Sequence, residues 1–160
     1  MIIPNIQLSD KFWLQEFVKS PMASRNGIVN WPPTNEKEEV VIERLRFLCV
    51  NVMQPVRDHY KRVISPSSGY RCPELNTLVG SRSTSDHLLG YAADWEIIGV
   101  SNLEVARFIE YNIEFDQLIL EYYTKGEPNS GWIHTSFRDG NNRGQILTID
   151  GKTKTYGLPE

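Results

Sequence analysis

Cysteine is scarce in this chain: Cys49 and Cys72 are the only two in 160 residues, and neither stands in a CxxC or similar metal-binding spacing. No framework of bridges can therefore hold the fold, and a Cys49 to Cys72 disulfide is disfavoured. Long apolar runs are missing as well. No segment approaches the roughly 20 residues of a membrane helix, which argues against a membrane as partner. Basic clusters are also absent and the formal charge is −3, so the electrostatic footprint that holds a phosphate backbone is lacking and nucleic acid is not an expected partner. Met1 to Gln7 has neither a basic leader nor an uninterrupted apolar stretch, so the expectation is a chain made in the cytoplasm without a secretory signal. Internal repeats, linkers and low-complexity tracts are not found. What remains is 40% hydrophobic and 11% aromatic residues, enough for one sizeable core and too little chain for two. Residues 1–160 are expected to form a single monomeric domain.

The periodicities give the elements. Ser9 before Asp10 to Phe17 reads as an N-cap and a short amphipathic helix with Phe12, Trp13 and Phe17 inward. From Asn35 to about Met53, Val40, Val41, Leu45, Leu48 and Val52 recur at helical spacing opposite Glu36, Lys37, Glu39, Glu43 and Arg46. This main helix should end or kink near Pro55. Cys49 falls on its apolar face as a small core residue, and His59 should lie on the surface where the helix exits. Val63 to Ser65 and Ala92 to Ile98 read as strands. Ser101 to Glu104 is a capping box that starts a helix through about Tyr111. Phe115 to Glu121 and Trp132 to Phe137 are two further strands, and Gln145 to Ile149 with Lys152 to Tyr156 resemble a hairpin turning at Asp150-Gly151. Helices early and strands late predict an α+β domain: a small, mainly antiparallel sheet with helices packed on one side.

Three residues stand out for their chemistry. His87 and Asp94 lie in Ser85-Asp86-His87-Leu88-Leu89-Gly90-Tyr91-Ala92-Ala93-Asp94, and His134 follows in Gly131-Trp132-Ile133-His134-Thr135. Two imidazoles and a carboxylate are the ligand set of an open catalytic zinc site, with a fourth position left for water or substrate. Any one of them alone is more often an ordinary surface or core residue.

The surroundings add to this. Ser67-Ser68-Gly69-Tyr70-Arg71-Cys72-Pro73-Glu74-Leu75-Asn76, then Val79-Gly80, Ser85-x-His87-x-x-Gly90-x-Ala92-x-Asp94 and Trp132-Ile133-His134 closely resemble the M15 zinc peptidases, from about Leu8 to Thr148. These are D-Ala-D-Ala carboxypeptidases, dipeptidases and peptidoglycan endopeptidases. The resemblance implies the fold shared by D-Ala-D-Ala peptidases and hedgehog proteins, with Zn2+ on the sheet held by His87, Asp94 and His134, and a peptidoglycan stem peptide as partner. Without an export signal of its own, such an enzyme fits a bacteriophage endolysin that reaches the wall once another protein opens the membrane.

The resemblance also implies roles for neighbouring side chains. In many M15 enzymes a catalytic carboxylate lies three residues before the last histidine, where this chain has Gly131. Glu121, placed like the zinc-site glutamate of the hedgehog version of the fold, is the expected general base, with Glu127 as the fallback. Arg71 matches the arginine that stabilises a substrate oxyanion or carboxylate. Ser85 matches a serine that binds substrate or steadies the loop, and Tyr70 and Trp132 are candidates for the groove wall. Cys72 takes a position where the motif often has a small polar residue, and partial exposure is expected there. The rival reading is a non-catalytic, zinc-containing wall-binding or structural module of the same fold, supported by the missing acid at position 131.

Overall fold

The computed structural model describes residues 3–160 as an α+β unit built around one six-stranded mixed sheet. In chain order the elements are β1 (Gln7–Ser9), β2 (Phe12–Trp13), α1 (Leu14–Val18), α2 (Pro21–Arg25), α3 (Asn35–Leu48), a π-helical turn (Cys49–Met53) and α4 (Gln54–Tyr60). Then come β3 (Ser65–Ser68), α5 (Pro73–Leu78), α6 (Asp86–Leu89), β4 (Ala92–Glu96), α7 (Asn102–Asn112), β5 (Gln117–Glu121), β6 (Trp132–Ser136), β7 (Gln145–Ile149) and β8 (Lys154–Tyr156). Among the described residues no helix is long and apolar enough to cross a membrane.

The large sheet runs β3-β4-β6-β5-β7-β8, antiparallel throughout except for the parallel pair β5 and β7. Its register decides which side chains meet. Asp94 stands opposite His134, and His134 opposite Ile119, so these three share one face. Because strand side chains alternate, Trp95, Ile133, Leu118 and Leu120 point to the other face, where all four are fully buried. Trp95, Ile133 and Leu118 join Val105, Ala106 and Ile109 of α7 in the main core cluster. Ser101 caps α7 through its hydroxyl, which accepts from Glu104 N. His59 is exposed and stacks on Phe108 of α7, the ring centroids 4.0 Å apart.

Several local expectations shift. Ser9 does not cap a helix: it belongs to a β1–β2 hairpin, and its hydroxyl donates to Gln54 Oε1 together with Lys11 N. The helix begins only at Leu14, where Glu16 reaches back to accept Trp13 N at 2.8 Å. Phe12 and Phe17 are buried as expected, but Trp13 is 40% exposed. Along α3, Val41, Leu45 and Leu48 turn inward while Val40 stays 42% exposed. Pro55 does not end the main helix. Proline has no N–H to offer and its ring crowds the carbonyl four residues back; the wider π turn before it, in which Gln54 N bonds Cys49 O, lets the chain continue into α4. A single widened turn of this kind absorbs a local conflict without breaking the helix.

Strand β3 starts two residues later than its apolar run suggests, and β4 stops at Glu96. The terminal strands are joined by four residues, not two, because Asp150 Oδ1 accepts from both Lys152 N and Thr153 N and builds a wider turn. Cys72 is buried, as is Cys49, and both are free thiols.

Candidate metal centre

Three elements distant in sequence deliver His87, Asp94 and His134 to one place. His87 comes from α6, a helix of a single turn. Asp94 lies mid-strand in β4 and His134 mid-strand in β6, and their direct pairing sets the carboxylate beside the second imidazole. His134 Nδ1 is 2.9 Å and His87 Nε2 3.2 Å from the same oxygen, Asp94 Oδ1. All three residues are buried, and one ligand atom from each lies within 4.8 Å of the others.

The protonation pattern suits a cation. His87 Nδ1 faces the Gly69 carbonyl at 2.7 Å; a carbonyl only accepts, so Nδ1 donates there and Nε2 is the nitrogen turned toward Asp94. Nε2 and Asp94 Oδ1, 3.2 Å apart, are a pair that a proton or a metal ion between them holds together. Burial alone would raise the Asp94 carboxyl, but His87 and His134 outweigh it and hold it far below the usual carboxylate range. Two nitrogens and one carboxylate oxygen match the preferences of a borderline divalent ion, and these residues fit one.

The surrounding contacts fix these three side chains. Arg71 donates from one terminal nitrogen to Asp94 Oδ2 at 3.0 Å and from Nε to Ser68 Oγ at 2.9 Å, while its other terminal nitrogen sits 3.5 Å from Ser81 Oγ. The sequence expectation placed Arg71 on substrate; its main contact here is the free oxygen of Asp94. The Ser68-Gly69-Tyr70-Arg71 turn is pinned to α1, since Tyr70 N donates to Phe17 O and a Cβ at Gly69 would meet that same carbonyl oxygen at 2.3 Å. Only glycine permits this approach, and through it Gly69 O reaches His87.

Glu121 ends β5 on the same face, its Oε1 4.0 Å from His134 Nδ1. Desolvation raises its carboxyl, with the negative Asp94 adding to the effect and His134 and Arg71 opposing it. Trp132, its cross-strand partner, stacks on Tyr122 with ring centroids 4.8 Å apart. Glu127 is an exposed turn residue. Ser85 is half-buried as the residue preceding α6, and its side chain makes no capping bond there. Tyr70 is buried and lines a surface depression with the buried Val41 and the exposed Lys37 and Leu89.

One group of residues carried no usable signal in the sequence. Asp86, next to His87, pairs with Arg138, which follows β6; Arg138 Nε is 3.4 Å from the fully buried Asp116, and Asp116 also binds Arg143 at 2.7 Å. Four scattered charges become a network only once β5, β6 and α6 are in place.

A sequence model of the family described as Peptidase M15 matches residues 10–135, well over half of the chain. The chain belongs to that family, and it is a peptidase by that membership. No curated protein matches it.

Proposed function

We propose that this Peptidase M15 member is a zinc-dependent enzyme that hydrolyses a peptide bond in the stem peptides of bacterial peptidoglycan. The observation that carries the reading is the convergence of His87, Asp94 and His134 on one buried point with the Glu121 carboxylate 4.0 Å from His134. A zinc ion held by the three residues would supply Lewis acidity, polarising a peptide carbonyl and acidifying water. Glu121, partly desolvated beside that point, accepts the proton of the attacking water and returns it to the leaving amine. Arg71 keeps Asp94 in place through Oδ2, and its terminal nitrogen on Ser81, held only at 3.5 Å, is free to turn to a substrate oxyanion. Trp132 and Tyr122 form an aromatic wall beside Glu121, and Ser85 lies two residues before His87 as a further substrate contact.

The non-catalytic alternative drew on the missing acid at position 131. The Glu121 carboxylate, 4.0 Å from His134 Nδ1, offers an acid from β5 and favours the catalytic reading. Candidate bonds are the terminal D-Ala-D-Ala link and the L-Ala-D-Glu link. Purified peptidoglycan digested with the zinc-loaded protein, followed by mass spectrometry of the new termini, tests the reading: free D-Ala identifies a carboxypeptidase, a new D-Glu amino terminus an endopeptidase, and unchanged muropeptides refute the proposal. A role in phage-driven lysis is the setting we infer. In that setting cytosolic expression lyses cells only after the membrane is permeabilised, and lysis by an inactive Glu121 variant would contradict it.

A further inference from the structure

We infer that Arg138 is a positioning residue for the metal ligands, tying the helix that carries His87 to the strand that carries His134. The inference rests on the metal reading above and concerns residues outside the ligand set. A one-turn helix such as α6 has almost no stability of its own, so its orientation must come from contacts. Two run to the Gly69–Arg71 turn: the His87 side chain donates from Nδ1 to Gly69 O, and Arg71 N donates to His87 O. The outer ties are Arg44, which donates to Leu89 O at 2.9 Å, and Asp86, whose side chain is only 10% exposed and is paired with Arg138.

Arg138 lies two residues beyond the end of β6, four after His134. Its guanidinium is held on three sides: over the Tyr91 ring at 4.1 Å, against Asp86, and 3.4 Å from Asp116. Asp116, fully buried, is itself fixed by Arg143 through both Nε and a terminal nitrogen, and by Ser136 Oγ from β6. Tyr91 links back as well, since its carbonyl accepts Phe137 N and Arg44 covers it at 4.2 Å. Asp86 is therefore clamped to the sheet at the residue next to His87. Contacts of this kind outside the ligands govern how rigidly a ligand is presented and hence how tightly metal is held.

The test is zinc affinity by chelator competition on the full chain, with the visible spectrum of the cobalt-substituted protein as a geometric readout. Arg138→Met keeps the apolar stem over Tyr91 and removes the charge; it should raise the zinc dissociation constant about 10-fold, the low end for residues around a metal site, and change the cobalt spectrum. Arg138→Lys should restore part of the affinity. Asp86→Asn should reproduce the loss, and the double variant should be no worse than either single one, because one contact is being removed twice. Additive losses, or zinc binding by Arg138→Met and Asp86→Asn as tight as that of the wild type, would overturn the inference alone. A wild type that takes up no zinc would overturn the metal reading and this inference with it.

Discussion

Gly131 lies directly against the backbone of Glu121: a Cβ placed on Gly131 would stand 1.9 Å from the Glu121 carbonyl oxygen, and its φ is +67°. No side chain can stand at 131 while β5 and β6 keep their register. Tyr122, beside it, is also in the left-handed region at φ 53°, so the two strands end in a tight crossing, with Glu121 on its β5 side. Gly131→Glu should therefore fail to add a working base and should destabilise the protein by at least about 2 kcal/mol, the combined effect of left-handed strain and steric exclusion. Urea denaturation of the variant measures it; unchanged stability would show that the crossing relaxes.

Metal content gives the next expectation. His87→Ala and His134→Ala should each lose bound zinc on elemental analysis, because each removes one of three ligands from a site with no spare donor of the same kind within the cluster. Removing the ion from the wild type with a chelator should lower its melting temperature, since free zinc at 100 times its dissociation constant adds about 2.7 kcal/mol to folding. Full metal content in both variants would exclude this site.

The convergence of His87, Asp94 and His134 was legible in the sequence because a pattern of residue types at fixed spacing survives without knowledge of the fold, and the strands carrying Asp94 and His134 showed in their apolar and aromatic content. The first helix was misjudged because Ser9 and Asp10 have the chemistry of an N-cap, yet Gln54, 45 residues away, captures the Ser9 hydroxyl. Pro55 predicts an end or a kink, and a local rule cannot tell which: here a π turn just before it carries the chain on into α4. The parallel β5–β7 pair and the Asp86–Arg138–Asp116–Arg143 network are long-range outcomes, decided by packing and invisible to periodicity. Arg71 illustrates the same limit: its residue type was informative, while its partner, Asp94 Oδ2, depended on the fold.

Arg71→Ala should weaken both metal and turnover. Losing the donor to Asp94 Oδ2 frees the carboxylate to rotate, so zinc affinity should fall about 10–100-fold. Turnover at saturating zinc should fall further, by about 10²–10³, if the same guanidinium also meets the oxyanion. Measuring both separates the two roles: normal kcat with weakened zinc binding would leave Arg71 as a support for Asp94 alone.

Glu121→Gln should keep size, hydrogen-bonding capacity and zinc while removing the proton acceptor. Peptide cleavage should fall about 10²–10⁴-fold with KM little changed, because the loss is felt in the transition state. Glu127→Gln, in the exposed turn, is the control and should cleave normally. The opposite pattern, with Glu127→Gln inactive and Glu121→Gln active, would sink the assignment of the base.

Asp116 gives a prediction in pH. Burial alone would raise its carboxyl, but hydrogen bonds and charge from Arg143, with Arg138 adding, hold it below the ordinary value. A carboxyl lowered in the folded state stabilises the protein above its unfolded pKa, about 3.9, and that stabilisation disappears as pH falls through the folded value. Asp116→Asn should therefore cost about 1–3 kcal/mol at neutral pH, since Arg143 is half-exposed and regains water when unpaired. The gap between the two metal-free proteins should stay level down to about pH 4 and close below it as the wild-type carboxyl protonates. Thermal or urea unfolding from pH 7 to pH 3 checks this directly. A gap that is independent of pH, or that widens in acid, would mean that the Asp116 charge contributes nothing and that its place among Ser136, Arg138 and Arg143 is a matter of shape.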